Sequence, residues 1–256
     1  MKLRCKKLVG LILVTVVLNS HPILAGKLQD ILQQHSSTLG DTKAWKDIHN
    51  LTYTLHIKEP SFTVKGIYYV TRSGKMRIDI FAGEQHVFTE AYDGTQGWQW
   101  NSGDSKAKII GAKLAAALLH GIQLPGHIYT LLDMQDNGHK LMYIGEEKWQ
   151  QRSTNLLKLT LSDGHQKYFV LDKKSGQLLA SRDKRAFHPD IDNTEVMIET
   201  RKSDVREYFG TRRSFTSENW DLTNQKSLGI TRVTKLIRNS VIKNSYFEID
   251  SFVRIN

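Results

Sequence analysis

Cysteine is nearly absent. The 256 residues contain one, Cys5, and it lies in a basic leader rather than in the body of the chain. With that leader removed, no disulfide, thiolate nucleophile or cysteine metal ligand remains. Cys5 precedes the leader's apolar run instead of following it, so it is not the lipid-bearing cysteine of an anchored lipoprotein. Proline is also scarce, at four residues, and there is no internal repeat, low-complexity tract or linker, so the chain reads as one domain. Past the leader, no segment is apolar over a length that would cross a bilayer.

The leader itself is informative. Lys2, Arg4, Lys6 and Lys7 precede an apolar run over residues 8–18, then Asn19-Ser20-His21-Pro22 and the small pair Ala25-Gly26. That order predicts a signal peptide over residues 1–25, cleaved near Ala25, and a soluble periplasmic product over residues 26–256. Losing the leader's four basic residues would take the formal charge from +10 to about +6. The remaining cations are spread along strands, with clusters at Arg182-Asp183-Lys184-Arg185 and Arg212-Arg213. They are not organised for nucleic acid. A solvated sheet face is the plain reading, and attraction to an anionic membrane surface the functional one.

Two periods divide the chain. Leu28, Ile31, Leu32, His35 and Leu39 share a helical face that ends at Gly40, and Asp41 or Thr42 caps a short helix with Trp45 and Ile48. From Leu51 the period becomes two, as in Leu51, Tyr53, Leu55 and Ile57, with a bend or bulge expected at Gly66. Turns at Ser73-Gly74, Gly83-Glu84, Asp93-Gly94, Asp163-Gly164 and Ser175-Gly176 separate about ten strands with short connections, which implies antiparallel pairing. One apolar stretch interrupts them, residues 111–132, read as helices over 112–120 and 122–133. A sheet this large with one apolar face must curl into a barrel or half-barrel, and the interruption is the candidate lid.

Several motifs in order resemble a known family. They are Leu39-Gly40 with Ala44-Trp45, the hairpin Tyr92-Asp93-Gly94-Thr95-Gln96-Gly97-Trp98, Leu161-Ser162-Asp163-Gly164 with Leu171-Asp172, Ser203-Asp204-Val205-Arg206 with Gly210, and the terminal Asn244-Ser245-Tyr246-Phe247. Together they resemble the LolA/LolB-like superfamily of bacterial lipoprotein localization factors, most closely the outer-membrane lipoprotein-sorting proteins. Two positions depart from that pattern: Thr211-Arg-Arg-Ser-Phe215 lacks a proline, and Asn244 replaces an acidic residue. The resemblance implies a mainly β fold with helices, an unclosed antiparallel half-barrel with an α-helical lid over an apolar cavity. It also implies a soluble carrier of lipid or lipoprotein acyl chains.

The expected cavity and lid residues are Tyr53, Leu55, Val64, Tyr68, Ile78, Ile80, Trp98, Trp100, Leu114, Leu118 and Leu119, with plain core packing as the alternative. No catalytic constellation is present. The ten histidines are scattered, Glu146-Glu147 and Asp190-x-Asp192 read as turn carboxylates, and Gly94-x-x-Gly97 lacks the lysine of a phosphate loop. The expectation is a monomeric non-enzyme without cofactor or metal. The alternative is an envelope sensor of the same fold that binds an inner- or outer-membrane partner protein.

Overall fold

The computed structural model describes residues 21–189 and 191–255, so most of the expected signal peptide, Cys5 and Asp190 lie outside the described residues. Two helices lead, α1 (His21–Ser36) and α2 (Thr42–Lys46). The Asp41 carboxylate caps α2 by accepting from the Lys43 amide. Six strands follow: β1 (Asn50–Lys58), β2 (Thr63–Thr71), β3 (Met76–Ala82), β4 (Gln85–Tyr92), β5 (Gly97–Asn101) and β6 (Lys108–Ile109). After α3 (Ala112–Gln123) and a 3-10 turn (Leu131–Asp133) come β7 (Lys140–Trp149), β8 (Arg152–Thr160), β9 (Gln166–Asp172) and β10 (Leu178–Arg185). The last strands are β11 (Val196–Tyr208), β12 (Thr211–Asp221) and β13 (Lys226–Arg238), and two 3-10 turns over 244–251 end the chain.

All thirteen strands form one antiparallel sheet, ordered β6-β5-β4-β3-β2-β1-β13-β12-β11-β10-β9-β8-β7. Every neighbouring pair is a hairpin in sequence except β1 with β13. The sheet is not closed: its edges are β6 and β7, and the segment between them carries α3. The apolar interruption therefore connects the two free edges as well as covering the face.

Three sequence expectations are corrected here. The interruption holds one α-helix, not two. Pro125 disfavours the α conformation at the residue before it, and Leu124 is accordingly extended (φ −69°, ψ 148°), which ends α3. Gly66 makes neither bend nor bulge. The register shifts fall instead at Thr54/Leu55 and Ile80/Phe81, and Gly66 stands where a Cβ would come within 3.2 Å of Ile57 Cδ1 and 3.4 Å of Ile80 Cδ1. Among the described residues the strands number thirteen where about ten were expected, and one of the additional strands, two-residue β6, has no alternation to read.

The concave face carries two apolar cores. One gathers Leu51, Tyr53, Tyr68, Val70 and Met76 with Trp45, Ile122, Phe215 and Leu236. The other seats Leu28, Ile31 and Leu32 of α1 on Leu141, Leu157, Leu159, Phe169 and Leu171. α1 is anchored at its end by Gln34, which donates to the Lys173 and Lys174 carbonyls, and by His35 at 2.8 Å from the Gly176 carbonyl. Gly176 (φ +75°) is needed there, since a Cβ would lie 2.8 Å from the Gln34 carbonyl oxygen.

The convex face of β3–β5 is covered by the C-terminal segment. Arg77 and Asp79 form a buried ion pair at 2.9 Å. Asp79 also accepts from Thr89 Oγ1 (2.7 Å) and Tyr246 Oη (2.9 Å), and Arg77 donates to the Tyr246 carbonyl. Trp98 Nε1 donates to the Phe247 carbonyl, and the Trp98 and Trp100 rings pack against Phe252. The Tyr92–Trp98 hairpin and the Asn244–Phe247 stretch, far apart in sequence, thus meet on this face.

Candidate functional site

Strand parity sorts the expected cavity residues. Tyr53 and Leu55 on β1 stand opposite Tyr68 and Gly66 on β2, and Tyr68 and Gly66 stand opposite Ile78 and Ile80 on β3, so these side chains share the concave face with Val64. Trp98 and Trp100 do not. Their partners in the ladder, Ala91 and Thr89, lie opposite Arg77 and Asp79, which places both indoles on the convex face under the C-terminal segment. The two tryptophans do share one fate, as their spacing requires, but it is a structural one.

Burial falls along the concave face. Leu51, Tyr53, Tyr68 and Val70 are buried, whereas Leu55, Ile57, Val64, Ile78, Ile80 and Phe88 are only partly so. These partly buried side chains form an apolar trough. Leu118 and Leu119 of α3 pack on the first core while staying partly exposed, and Leu114 is half-buried one turn earlier. α3 rests on β4 and β5 and reaches the opposite rim through two polar contacts. Lys113 meets Glu195 at 3.0 Å, and His120 meets Asp163 in the β8–β9 turn while stacking on His165.

The hydrogen bond from His120, followed by one from the His165 amide, holds the Asp163 carboxyl below its usual range. A carboxyl depressed in this way contributes its stabilisation above the unfolded value and loses it as pH falls through the folded one. The contact is half-exposed, so Asp163→Asn should leave the melting temperature nearly unchanged. It should instead speed amide hydrogen exchange in α3 several-fold near pH 7. Unchanged α3 exchange would show that the contact does not hold the helix down.

A polar band separates the two cores. Lys167 and Asp183 pair at 2.9 Å, with Arg185 Nε at 3.4 Å and His165 Nε2 at 3.7 Å from the same carboxylate. Burial would raise Asp183, but the imidazole and the two cations outweigh it and hold the carboxyl far below its ordinary value. Lys202 Nζ bonds Ser217 Oγ at 2.9 Å. Arg213 donates to Thr211 Oγ1, Tyr53 Oη (3.1 Å) and the His127 carbonyl (3.3 Å), with its guanidinium 4.2 Å from the Trp45 ring centroid. The His127 ring lies against Tyr53 and Tyr68, with centroids 5.2 and 5.1 Å apart. Burial, reinforced by Lys202 and Arg213, pushes this imidazole down to about 3, so it is neutral at physiological pH.

The clusters Arg182–Arg185 and Arg212-Arg213 are therefore not uniform solvated patches. Asp183, Arg185 and Arg213 turn toward the concave side, while Lys184 and Arg212 are exposed. Strand parity could have signalled the split. Nothing in the sequence could have joined His120 to Asp163 and His165.

No family model matches the chain, and no curated protein sequence matches it. Solved structures do. An outer membrane lipoprotein-sorting protein domain described from Vibrio parahaemolyticus is 12% identical with a TM-score of 0.54, over 86% of this chain and 96% of that one. A LolA superfamily protein from Nitrosomonas europaea is 9% identical with a TM-score of 0.57, over 88% and 98%. A DUF1329 family protein from Desulfovibrio piger is 12% identical with a TM-score of 0.57, over 88% and 98%. At these identities the likeness is one of fold. The chain has the LolA-like fold, an open antiparallel half-barrel with helices on its concave side.

Proposed function

We propose that this protein is a periplasmic carrier that takes the acyl chains of a lipid or lipoprotein into its apolar trough and moves them across the envelope. The observation that carries the reading is the trough itself. Leu55, Ile57, Val64, Ile80 and Phe88 face inward yet remain incompletely packed beneath a lid whose leucines are also half-exposed. Completing the burial of such side chains is worth up to about 1.5–3 kcal/mol each. The chain inserted among them gains about 0.8 kcal/mol per buried methylene. A chain of about sixteen carbons thus brings roughly 12 kcal/mol before ordering and association are subtracted.

Holding and releasing a chain needs no catalytic group, so this is a non-enzymatic reading. α3 closes over the loaded trough and, when it is empty, Leu118 and Leu119 settle further onto the sheet. The lipoprotein-sorting domain among the structures of like fold supports the cargo class. Export rests on the N-terminal pattern. Among the described residues, no helix is long and apolar enough to cross a membrane.

Native mass spectrometry of protein purified from the periplasm should show a co-purifying acylated species. Delipidated protein should take up an uncharged acyl fluorophore. An empty protein that also fails to bind the fluorophore would end the carrier reading.

A further inference from the structure

The concave face holds two cations, Lys202 and Arg213, that bond no carboxylate among the described residues. Arg213 is 6% exposed, and its Nη2 has no hydrogen-bond partner, nor does Nδ1 of the neighbouring His127. Among the described residues neither Lys202 nor Arg213 bonds a carboxylate: their partners are hydroxyls and a backbone carbonyl. Asp183 is already engaged by Lys167 and Arg185. Arg213 is buried and Lys202 half-buried, and a cation withdrawn from water without a counter-charge is destabilising, so both are expected to gain a partner in some state of the protein.

We propose that Lys202, Arg213 and His127 form a receptor for the anionic head, a carboxylate or phosphate, of an acylated lipid whose chain lies in the adjoining trough. This deepens the carrier reading and rests on it. Lys202 comes from β11 and Arg213 from β12, and Tyr53, which Arg213 touches, neighbours Leu55 at the start of the trough. Head site and chain site are therefore contiguous. Burial, with the charges of Lys167 and Arg185 behind it, pushes the Lys202 ammonium down to about 8. It is still mostly protonated at pH 7, in a setting that an incoming anion improves. Neutral His127 offers a ring nitrogen with no charge to compensate. The chemistry selects against a cargo whose head is an uncharged glyceride ester, since such a head leaves both cations as they were.

The test measures displacement of an uncharged acyl fluorophore from the delipidated protein by two matched pairs. The first pair is palmitate and methyl palmitate, and the second is phosphatidylglycerol and diacylglycerol of the same chains. The anionic member of at least one pair should bind ten-fold or more tightly than its neutral partner. The pair that shows the preference distinguishes a free fatty acid from a phospholipid. Lys202→Met should abolish most of that preference, leave the neutral ligands unchanged, and melt no lower than the parent protein. It is the variant of choice because Arg213 also bonds Tyr53 and stacks on Trp45, so its loss would disturb the core. Equal binding of charged and neutral ligands, or a Lys202→Met variant that retains the preference, overturns the head-group site and leaves the carrier standing. Failure of the fluorophore itself to bind overturns both.

Discussion

Asp79→Ala should remove about 3–5 kcal/mol of folding stability, the largest loss expected from any single change considered for this protein. Asp79 is fully buried, and its two oxygens serve Arg77, Thr89 and Tyr246 together. Truncation leaves the Arg77 guanidinium charged, dehydrated and without its counter-ion. It also orphans two hydroxyls and loosens the segment that seals Trp98 and Trp100. For a domain of this size each kcal/mol moves the melting temperature by roughly 2–4 °C, so a drop of roughly 10 °C is expected. Urea unfolding measures it directly. The double variant Arg77→Met/Asp79→Leu should recover much of the loss, because removing both charges leaves nothing unpaired. If Asp79→Ala unfolds within 1 kcal/mol of the parent, the network is not what holds the C-terminal segment in place.

Leu118→Asp should weaken uptake of an uncharged acyl probe by roughly 100-fold, equivalent to about 2–3 kcal/mol of lost apolar contact and added carboxylate desolvation. The strands should survive. Leu118 is only partly buried, so in the empty protein a carboxylate there can remain in contact with water. Far-ultraviolet circular dichroism should stay unchanged, with a melting temperature within a few degrees of the parent. Ala117→Asp, exposed on the same helix, should change neither binding nor stability. Global unfolding of Leu118→Asp would mean that α3 is plain core and not a lid.

The strands were legible because alternation survives wherever one face is packed, as from Leu51 to Ile57. What alternation cannot say is which parity faces the hollow. Here both faces are covered in places, one by α2 and α3 and the other by the C-terminal segment, so buried aromatics mark neither. Trp98 and Trp100, for which cavity lining and plain core packing are both open from sequence, lie on the convex side. Tyr53 and Tyr68, with the same kind of signal, do lie on the concave side. The head-group candidates were hidden differently. Lys202 and Arg213 sit in charged stretches that look solvated, and only the pairing of β11 with β12 and the approach of the 125–130 loop turn them inward. The lid was half-legible: its apolar content announced a cover, but the stop at Leu124 depended on Pro125 acting one residue upstream.

The strand order has a further consequence for how the chain comes to fold. Each ladder within β1–β6 and within β7–β13 forms between sequence neighbours, so either meander can assemble from local hairpins as the chain is extended. The seam cannot. Leu51 must find Arg238 and Lys58 must find Ile230, a closure that spans most of the domain and has to wait for its last strand. Until that seam zips, Tyr53 belongs to one half and Arg213 to the other. On the proposed carrier function, a half-made protein has no complete head-group site until that seam is closed.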